Sequence, residues 1–133
     1  MVYQGLVYGA KGIIYYPWDD GPTGITHEPQ LMAEVPKINA ELEVLGPKVL
    51  ACERTLVKSD ADPVDLHAAL FRGKTVSFFI VTSGKSKPCA TTFRLPGVKE
   101  ARLLYGTDPG TLRNEVIAEK LEPFQVKVYA LKF

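Results

Sequence analysis

The sequence predicts a mainly β protein: an antiparallel β-sandwich that follows an N-terminal α/β segment of one short helix, one buried strand and one amphipathic helix. Three observations predict this class. From residue 49 onward, short apolar or alternating stretches are separated by turns that contain glycine and proline, as in antiparallel sandwiches. Before residue 47, apolar residues recur at helical spacing in two places. One short, continuously apolar run lies between those two places.

The apolar run Gly12–Trp18 predicts a strand that is buried on both faces. Its β-branched and aromatic residues are typical of a strand in a parallel sheet that helices cover. Pro17 cannot donate a hydrogen bond to a neighbouring strand, so pairing is expected to end there and to leave Trp18 just beyond the strand. The unpaired edges of this strand are expected either to recruit a second copy of the chain, giving a homo-oligomer, or to join the sandwich sheet.

Two helices are predicted on either side of this strand. Apolar residues at positions 2, 3, 6 and 7 indicate a short helix over Val2–Tyr8, which the backbone leaves through Gly9. Pro29 marks the start of the second helix, and Gly46-Pro47 marks its end. The apolar stripe of the second helix is expected to cover the buried strand, and it consists of Leu31, Val35, Ile38, Leu42 and Leu45.

The sandwich is predicted to occupy residues 48–133, after an α/β segment of residues 1–47. Its predicted strands are Val64–Phe71, Thr75–Thr82, Pro88–Leu95, Glu100–Tyr105, Val116–Leu121 and Phe124–Leu131. Apolar and polar residues alternate in the first of these strands, which predicts a half-buried strand with His67 on its solvent side. The aromatic residues of the sandwich are scattered, and we expect most of them to form core: Phe71, Phe78, Phe79, Phe93 and Tyr129.

Composition excludes several classes of partner. The 16 basic and 15 acidic residues leave a formal net charge of +1 and form no basic stripe, so neither nucleic acid nor an anionic membrane is an expected partner. No stretch is long and apolar enough for a membrane span and no signal peptide opens the chain, which favours a soluble protein. Cys52 and Cys89 fit no metal-ligand spacing, and neither a metal nor a cofactor is expected. Each cysteine is expected to be a small apolar strand residue, with a disulfide between them left open.

The N-terminal segment resembles a known family. Tyr3–Trp18, with Gly9-Ala10-x-Gly12 before an aromatic strand, and the helix that carries Ile38–Leu42 resemble the last βα unit of a clan A glycoside hydrolase, most like the β-galactosidase-like and related uncharacterised bacterial sugar hydrolases. The resemblance is good over residues 3–46 and only architectural over residues 50–133. It implies that the α/β segment is a remnant of a (β/α)8 barrel and that the sandwich is a C-terminal domain.

The resemblance implies a sugar-binding site at the end of the predicted strand. The terminal tryptophan of that strand lines the sugar pocket in the family, so Trp18, with Asp19 and Tyr16, forms the candidate substrate-binding set. An indole offers a flat apolar face and one N–H donor to a sugar ring. Without the resemblance, Trp18 would be expected to pack as core, and Asp19-Asp20 to belong to an ordinary turn.

No catalytic residue is expected in this chain. In the resembled family the acid/base and the nucleophile are glutamates at the ends of the fourth and seventh barrel strands, which would lie upstream of Met1, and no residue here matches either. The favoured hypothesis is therefore a C-terminal fragment of a glycoside hydrolase that is accessory and not catalytic alone. The alternative is a free-standing β-sandwich module that binds carbohydrate or a protein partner, either alone or as a strand-sharing oligomer.

Overall fold

The computed structural model describes residues 1–15, 21–22, 24–60 and 65–133. Helix α1 spans Val2–Val7, a 3-10 helix spans Ile25–His27, and helix α2 spans Pro29–Leu50. The strands that follow are β1 (Glu53–Leu56), β2 (Leu66–Arg72), β3 (Ser77–Ser83), β4 (Cys89–Arg94), β5 (Glu100–Tyr105), β6 (Thr111–Arg113), β7 (Val116–Leu121) and β8 (Val126–Lys132).

Two antiparallel sheets form the body of the described part of the chain, which confirms the predicted mainly β, sandwich-like class. The larger sheet has five strands in the order β1-β2-β3-β8-β5, and the smaller has three in the order β4-β7-β6. The paired strands in both sheets run antiparallel. The helices precede the sheets in the chain, as the sequence predicts.

The core between the two sheets is aromatic at its centre. Phe79 on β3, Phe93 on β4 and Tyr129 on β8 are each 0% exposed. The rings of Phe79 and Phe93 meet edge to face with their centroids 5.4 Å apart, a favoured geometry for aromatic pairs. Ile117 and Leu121 add apolar side chains from β7. These aromatic residues are core, as predicted.

The two α-helices cover the other face of the five-stranded sheet. Tyr3, Leu6 and Val7 of α1 and Leu45 and Val49 of α2 are all buried against it. The sheet residues beneath them are Ala69, Phe71, Phe78, Ile80 and Val128. Strand β3 is consequently buried along its whole length, which accounts for the continuous apolar run Phe78–Val81 at its centre.

The prediction that β2 is half-buried is wrong. Ala69 and Phe71 lie beneath the helices and are 0% and 3% exposed. His67, which was expected on the solvent side, is itself half-buried, and its ring contacts Gln4 and Tyr8 from the α1 segment. On the face of β2 that was assigned to water, only His67 is polar, because Ala69 and Phe71 are apolar, and the docking of α1 covers this face.

The buried strand predicted at Gly12–Tyr16 does not form in its described part. Residues 12–15 adopt no strand, and Ile14 is 92% exposed, so the expected cover of this side chain by α2 is wrong as well. The backbone groups of a strand need a paired neighbour, and no strand of either sheet pairs with residues 12–15. Tyr15 instead donates a side-chain hydrogen bond to Asn39 Oδ1 on α2, at 3.0 Å. Tyr16 lies outside the described residues.

Helix α2 begins at Pro29 as predicted but is longer than expected. It continues through Gly46 and Pro47 to Leu50. This continuation keeps Leu45 and Val49, one turn apart, on the sheet, and we attribute it to their burial, which outweighs the helix-ending tendency of the Gly-Pro pair. The boundary between residues 47 and 48 falls inside this helix, and the division into two domains stays a prediction. Within the described ranges, none of the helices has the length and apolarity that crossing a membrane requires.

A buried ion pair connects the two sheets. The side chains of Lys127 on β8 and Glu119 on β7 are both 0% exposed, and Lys127 Nζ lies 2.9 Å from Glu119 Oε2. The ammonium group also donates to the carbonyl oxygens of Asp108 and Lys120, at 2.5 and 2.8 Å. All three donors of the ammonium group therefore have an acceptor, which is the condition for keeping such a charge in a core.

Candidate functional site

The residues predicted to face a sugar, Tyr16, Trp18 and Asp19, lie outside the residues that the structure describes. Their role in substrate binding stays a prediction. The described residue on the N-terminal side is Tyr15, whose hydroxyl is held by Asn39 of α2. The chain is described again at the exposed Gly21, which has a φ of +55° and leads towards the 3-10 helix before α2.

The apolar stripe of α2 is only partly covered. Leu45 and Val49, near the C-terminal end of the helix, are 2% and 3% exposed, whereas Leu31 in the first turn is 51% exposed. Val35 and Ile38 lie between these positions and are half-buried. The part of α2 that lies away from the sheet thus presents an apolar surface that the described residues leave partly open.

A cavity of about 280 Å³ lies where α1 meets one end of the five-stranded sheet. We call it the α1 cavity. His67 on β2, Thr82 on β3 and Val126 on β8 are direct cross-strand partners and form one row of its lining. Further lining residues come from α1 and from the turns at the strand ends, and include Gln4, Asp65 and Phe124.

Thr82 lines the α1 cavity, but its hydroxyl oxygen is buried away from the cavity space and has no hydrogen-bond partner among the described residues. Thr82 is 5% exposed, and its hydroxyl bonds to none of the residues that the structure describes. Leaving such a hydroxyl unpaired costs about 1–3 kcal/mol. The unpaired hydroxyl of Thr82 therefore destabilises the fold.

The neighbouring histidine, in contrast, has both of its ring nitrogens engaged. His67 Nε2 lies 3.0 Å from Gln4 Nε2, and His67 Nδ1 lies 2.8 Å from Tyr8 Oη. An amide NH2 can only donate, so His67 Nε2 accepts this bond, and Nδ1 carries the proton that is donated to Tyr8. The rings of Tyr8 and His67 also meet edge to face at 5.4 Å. His67 is therefore fixed in orientation by α1.

Two residues of the α1 cavity hold backbone angles that L-amino acids rarely adopt. Asp65 has a φ of +64° and Phe124 a φ of +57°. Aspartate tolerates this region, but a bulky aromatic residue there is an outlier. Phe124 follows Pro123 in a turn closed by a 3.1 Å hydrogen bond from Gln125 N to Glu122 O, at the position where glycine is usual. Its side chain is nevertheless 70% exposed, so extensive burial does not compensate for the strain.

A wider, open groove of about 560 Å³ runs along the outer face of the three-stranded sheet. Small and polar side chains line it, and no aromatic ring of the described residues contributes to it. Its threonines are satisfied, because Thr91 bonds to Ser59 and Thr92 donates to Asp60. This groove offers no surface on which a flat ligand could stack.

Neither a disulfide nor a metal-ligand cluster appears in the part of the chain that the structure describes. Cys52 and Cys89 are both free, and they pack against opposite faces of the larger sheet. Cys89 lies in β4 as expected, whereas Cys52 lies just before β1. The Cys52 thiol donates to Lys48 O at 3.1 Å, and burial raises its pKa. No group of three histidine, cysteine, aspartate or glutamate side chains comes together in these ranges.

Comparisons with known proteins give a partial likeness to a solved structure. No family model matches the chain, and no curated protein sequence matches it. Among solved structures, the chain is similar to a mutant trehalose-6-phosphate hydrolase from Bacillus licheniformis, with a TM-score of 0.49 and 21% sequence identity. The similar region covers 70% of this chain and 17% of that hydrolase. The chain thus corresponds to a small part of the length of that protein.

Proposed function

We propose that this chain is a C-terminal, accessory part of a glycoside hydrolase and is not catalytic alone. In this proposal the sandwich is structural, and the segment around Trp18 contributes one wall of a sugar pocket whose catalytic glutamates lie on another part of the enzyme. The residue pattern over 3–46, with its Gly9-Ala10-x-Gly12 motif, supports the proposal, as does the succession of helix, helix and sandwich in the fold.

The observation that carries the proposal is the partial cover of α2. Near its C-terminal end the helix buries Leu45 and Val49 on the sheet, while Leu31 remains half exposed at its other end. An amphipathic helix normally buries its apolar stripe against a core. A stripe that continues past the sandwich is what we expect of a helix shared between two bodies, with the rest of a barrel as the second body.

The roles that we propose for the predicted site follow from residue chemistry. Trp18 would stack on the apolar face of a sugar ring and direct its N–H to a hydroxyl group. Asp19 would accept hydrogen bonds from sugar hydroxyls, and Tyr16 would support the tryptophan from two residues earlier in the chain. Glycoside hydrolysis needs two carboxyl groups placed across one bond. Asp19 and Asp20 are adjacent in the chain, a spacing that rarely places both carboxyl groups across one glycosidic bond.

Self-association through the segment Gly12–Tyr16 is not part of the proposal. Residues 12–15 form no strand, so the structure gives no support to strand sharing between copies there. The homo-oligomer stays a prediction of the sequence, and light scattering of the purified chain would test it directly.

The proposal is tested by assaying the purified chain on a panel of aryl glycosides and by following sugar binding in backbone-amide NMR titrations, with the Trp18 indole N–H as an additional reporter in the unsubstituted chain. We expect no glycoside release, and weak shifts of the indole signal by at least one sugar. In a Trp18→Phe variant, which keeps an aromatic face but lacks the N–H donor, the sugar-induced shifts of the amides of residues 18–21 should become weaker, and in Trp18→Ala these shifts should be lost. Hydrolysis that disappears in Trp18→Ala would contradict the proposal, because this chain would then contain a complete active site.

A further inference from the structure

We propose that the outer face of the smaller sheet docks an acidic segment of a partner protein. Three cationic side chains would make the contact, and we call them the cationic row: Lys58, Arg94 and Arg113. This surface is separate from the segment around Trp18 and from the α1 cavity, and it does not depend on the function proposed above.

Strand pairing brings the two arginines of the cationic row together. Arg94 on β4 and Arg113 on β6 are both direct cross-strand partners of Val116 on β7. These three residues lie on the face that points away from the core, because their chain neighbours Phe93 and Ile117 are 0% exposed on the opposite face. Two strand spacings separate the arginines, so their Cα atoms are about 10 Å apart.

Lys58 extends the cationic row beyond Arg94. Ser59 forms an antiparallel bridge with Phe93, and this register places Lys58 opposite Arg94. The chain after Ser59 leads away from the row, along β4 towards Thr92. The sequence shows no basic stripe because the three cations come from separate stretches of the chain. The stretches around the row are all described: residues 56–60, 92–98 and 111–118.

The cations of the row have no partner among the described residues. All three are exposed, and their side chains form neither a hydrogen bond nor an ion pair in the part of the chain that the structure describes. Two carboxylates adjoin the row, but each accepts a hydrogen bond from another group. Asp60 accepts from the Thr92 hydroxyl, and Glu115 accepts from Gly97 N at 2.9 Å. Positive charges that are grouped on one face in this way attract an anionic partner.

The chemistry of the face favours carboxylates carried by a protein segment. A guanidinium group presents a planar fork of N–H donors that matches a carboxylate. The next row of the sheet carries small side chains, from Thr92, Ala118 and Thr111, so the face is shallow enough for an extended chain to lie on it. No aromatic ring of the described residues lines this groove, so neither a nucleobase nor a sugar ring has a surface for stacking.

The experiment measures binding of a fluorescein-labelled octaglutamate peptide to the full chain by fluorescence anisotropy. We expect binding that weakens as salt is added, whereas an octaglutamine peptide should not bind. Octaglutamate should shift the amide NMR signals of residues 92–94 and 113–116. Arg94→Gln and Arg113→Gln should each weaken binding up to about fivefold, the upper range for one exposed ion pair. The double variant Arg94→Glu, Arg113→Glu should abolish it.

The matched control is Arg102→Gln, which removes an exposed arginine from β5 of the other sheet and changes the net charge equally. This variant should keep the full affinity for octaglutamate. All the substituted side chains are exposed, so the melting temperatures should stay unchanged. The proposal is overturned if octaglutamate does not bind, or if Arg102→Gln weakens binding as much as Arg94→Gln. It is also overturned if octathymidylate or a sulfated hexasaccharide binds more tightly than octaglutamate.

Discussion

Lys127 places a positive charge between the two sheets. The alternation of apolar and polar residues along β8 does not by itself predict this position. The apolar residues Val126 and Val128 belong to the face beneath the helices, so the intervening Lys127 and Tyr129 point into the sandwich. The sequence cannot reveal this arrangement, because both faces of β8 are buried and the pattern does not state which face meets which layer. The charge is acceptable there because Glu119 and two carbonyl groups surround it.

Removing one partner of the Lys127–Glu119 pair should destabilise the fold strongly, whereas replacing both partners by apolar residues should destabilise it little. Lys127→Met should lower the free energy of unfolding by about 3–5 kcal/mol, since it leaves the Glu119 carboxylate buried without its partner. The double variant Lys127→Met, Glu119→Leu should recover most of that loss. Urea denaturation of both variants measures the difference. The matched control is Lys132→Met in the exposed pair with Glu100, which should cost less than about 1 kcal/mol. Equal losses at Lys127 and Lys132 would contradict the argument.

Two buried tyrosines should make the fold sensitive to alkaline pH. Burial raises the pKa of Tyr3 and of Tyr129, and the carboxylates of Glu41 and Glu119 raise them further. A free phenol titrates near pH 10, so above about pH 10 the unfolded chain loses protons that the folded chain keeps. The contribution of these tyrosines to stability should be constant below pH 10. Above pH 10 it should fall by about 1 kcal/mol per pH unit for each tyrosine. Urea denaturation at a series of pH values measures how steeply the stability falls. The Tyr129→Phe variant should show roughly half the slope of the unsubstituted chain. An unchanged slope would contradict the claim that ionisation of Tyr129 destabilises the fold.

Among the elements, the strands with apolar periodicity were predictable and the short edge strands were not. Glu100–Tyr105 and Val116–Leu121 form strands with the predicted bounds. Strand β1 escaped prediction because all four of its residues are exposed, and β6 because it has only three residues. The predicted strand at Gly12–Tyr16 shows the opposite error. Its apolar and aromatic composition suits a strand, but a strand forms only where another strand can pair with it.

The two ends of helix α2 should contribute differently to the stability of the fold. Leu45→Ala should destabilise the sandwich by about 2–5 kcal/mol, because it opens a cavity beneath the helix. Leu31→Ala, the same change at the exposed end, should alter stability by no more than about 0.5 kcal/mol. Thermal melts of the two variants give the comparison. If Leu31→Ala costs as much as Leu45→Ala, the stripe is already covered within this chain, and the second body proposed for α2 loses its main support.

The whole molecule explains why the α1 cavity could not be found from the sequence. Its described lining residues come from four separate stretches of the chain, and they meet only after β2, β3 and β8 pair and α1 docks on the sheet. Periodicity assigned His67 to solvent because a single strand carries no information about the helix that covers it. The residues around Trp18 were accessible to sequence reasoning for the opposite reason, since their candidate chemistry lies in one contiguous segment.

The arrangement of layers predicts which parts of the molecule open together. Helix α1 has only six residues and is too short to be stable alone, yet Tyr3, Leu6 and Val7 are buried on the sheet and Arg54 of β1 donates to the Val7 carbonyl oxygen at 2.9 Å. Its amides should therefore exchange hydrogen at the rate of β3, as one cooperative unit with the sandwich. The first turns of α2, which pack against little of the described chain, should exchange much faster.

Hydrogen-exchange mass spectrometry of peptides from α1, β3 and the start of α2 tests this division. Leu6→Ala serves as the diagnostic variant, because it should speed exchange in α1 and in β3 together while leaving the start of α2 unchanged. Fast exchange of α1 in the native chain, with β3 still protected, would show that α1 is not an integral layer of the fold. It would also remove one wall of the α1 cavity, so this measurement bears on the cavity as well as on the architecture.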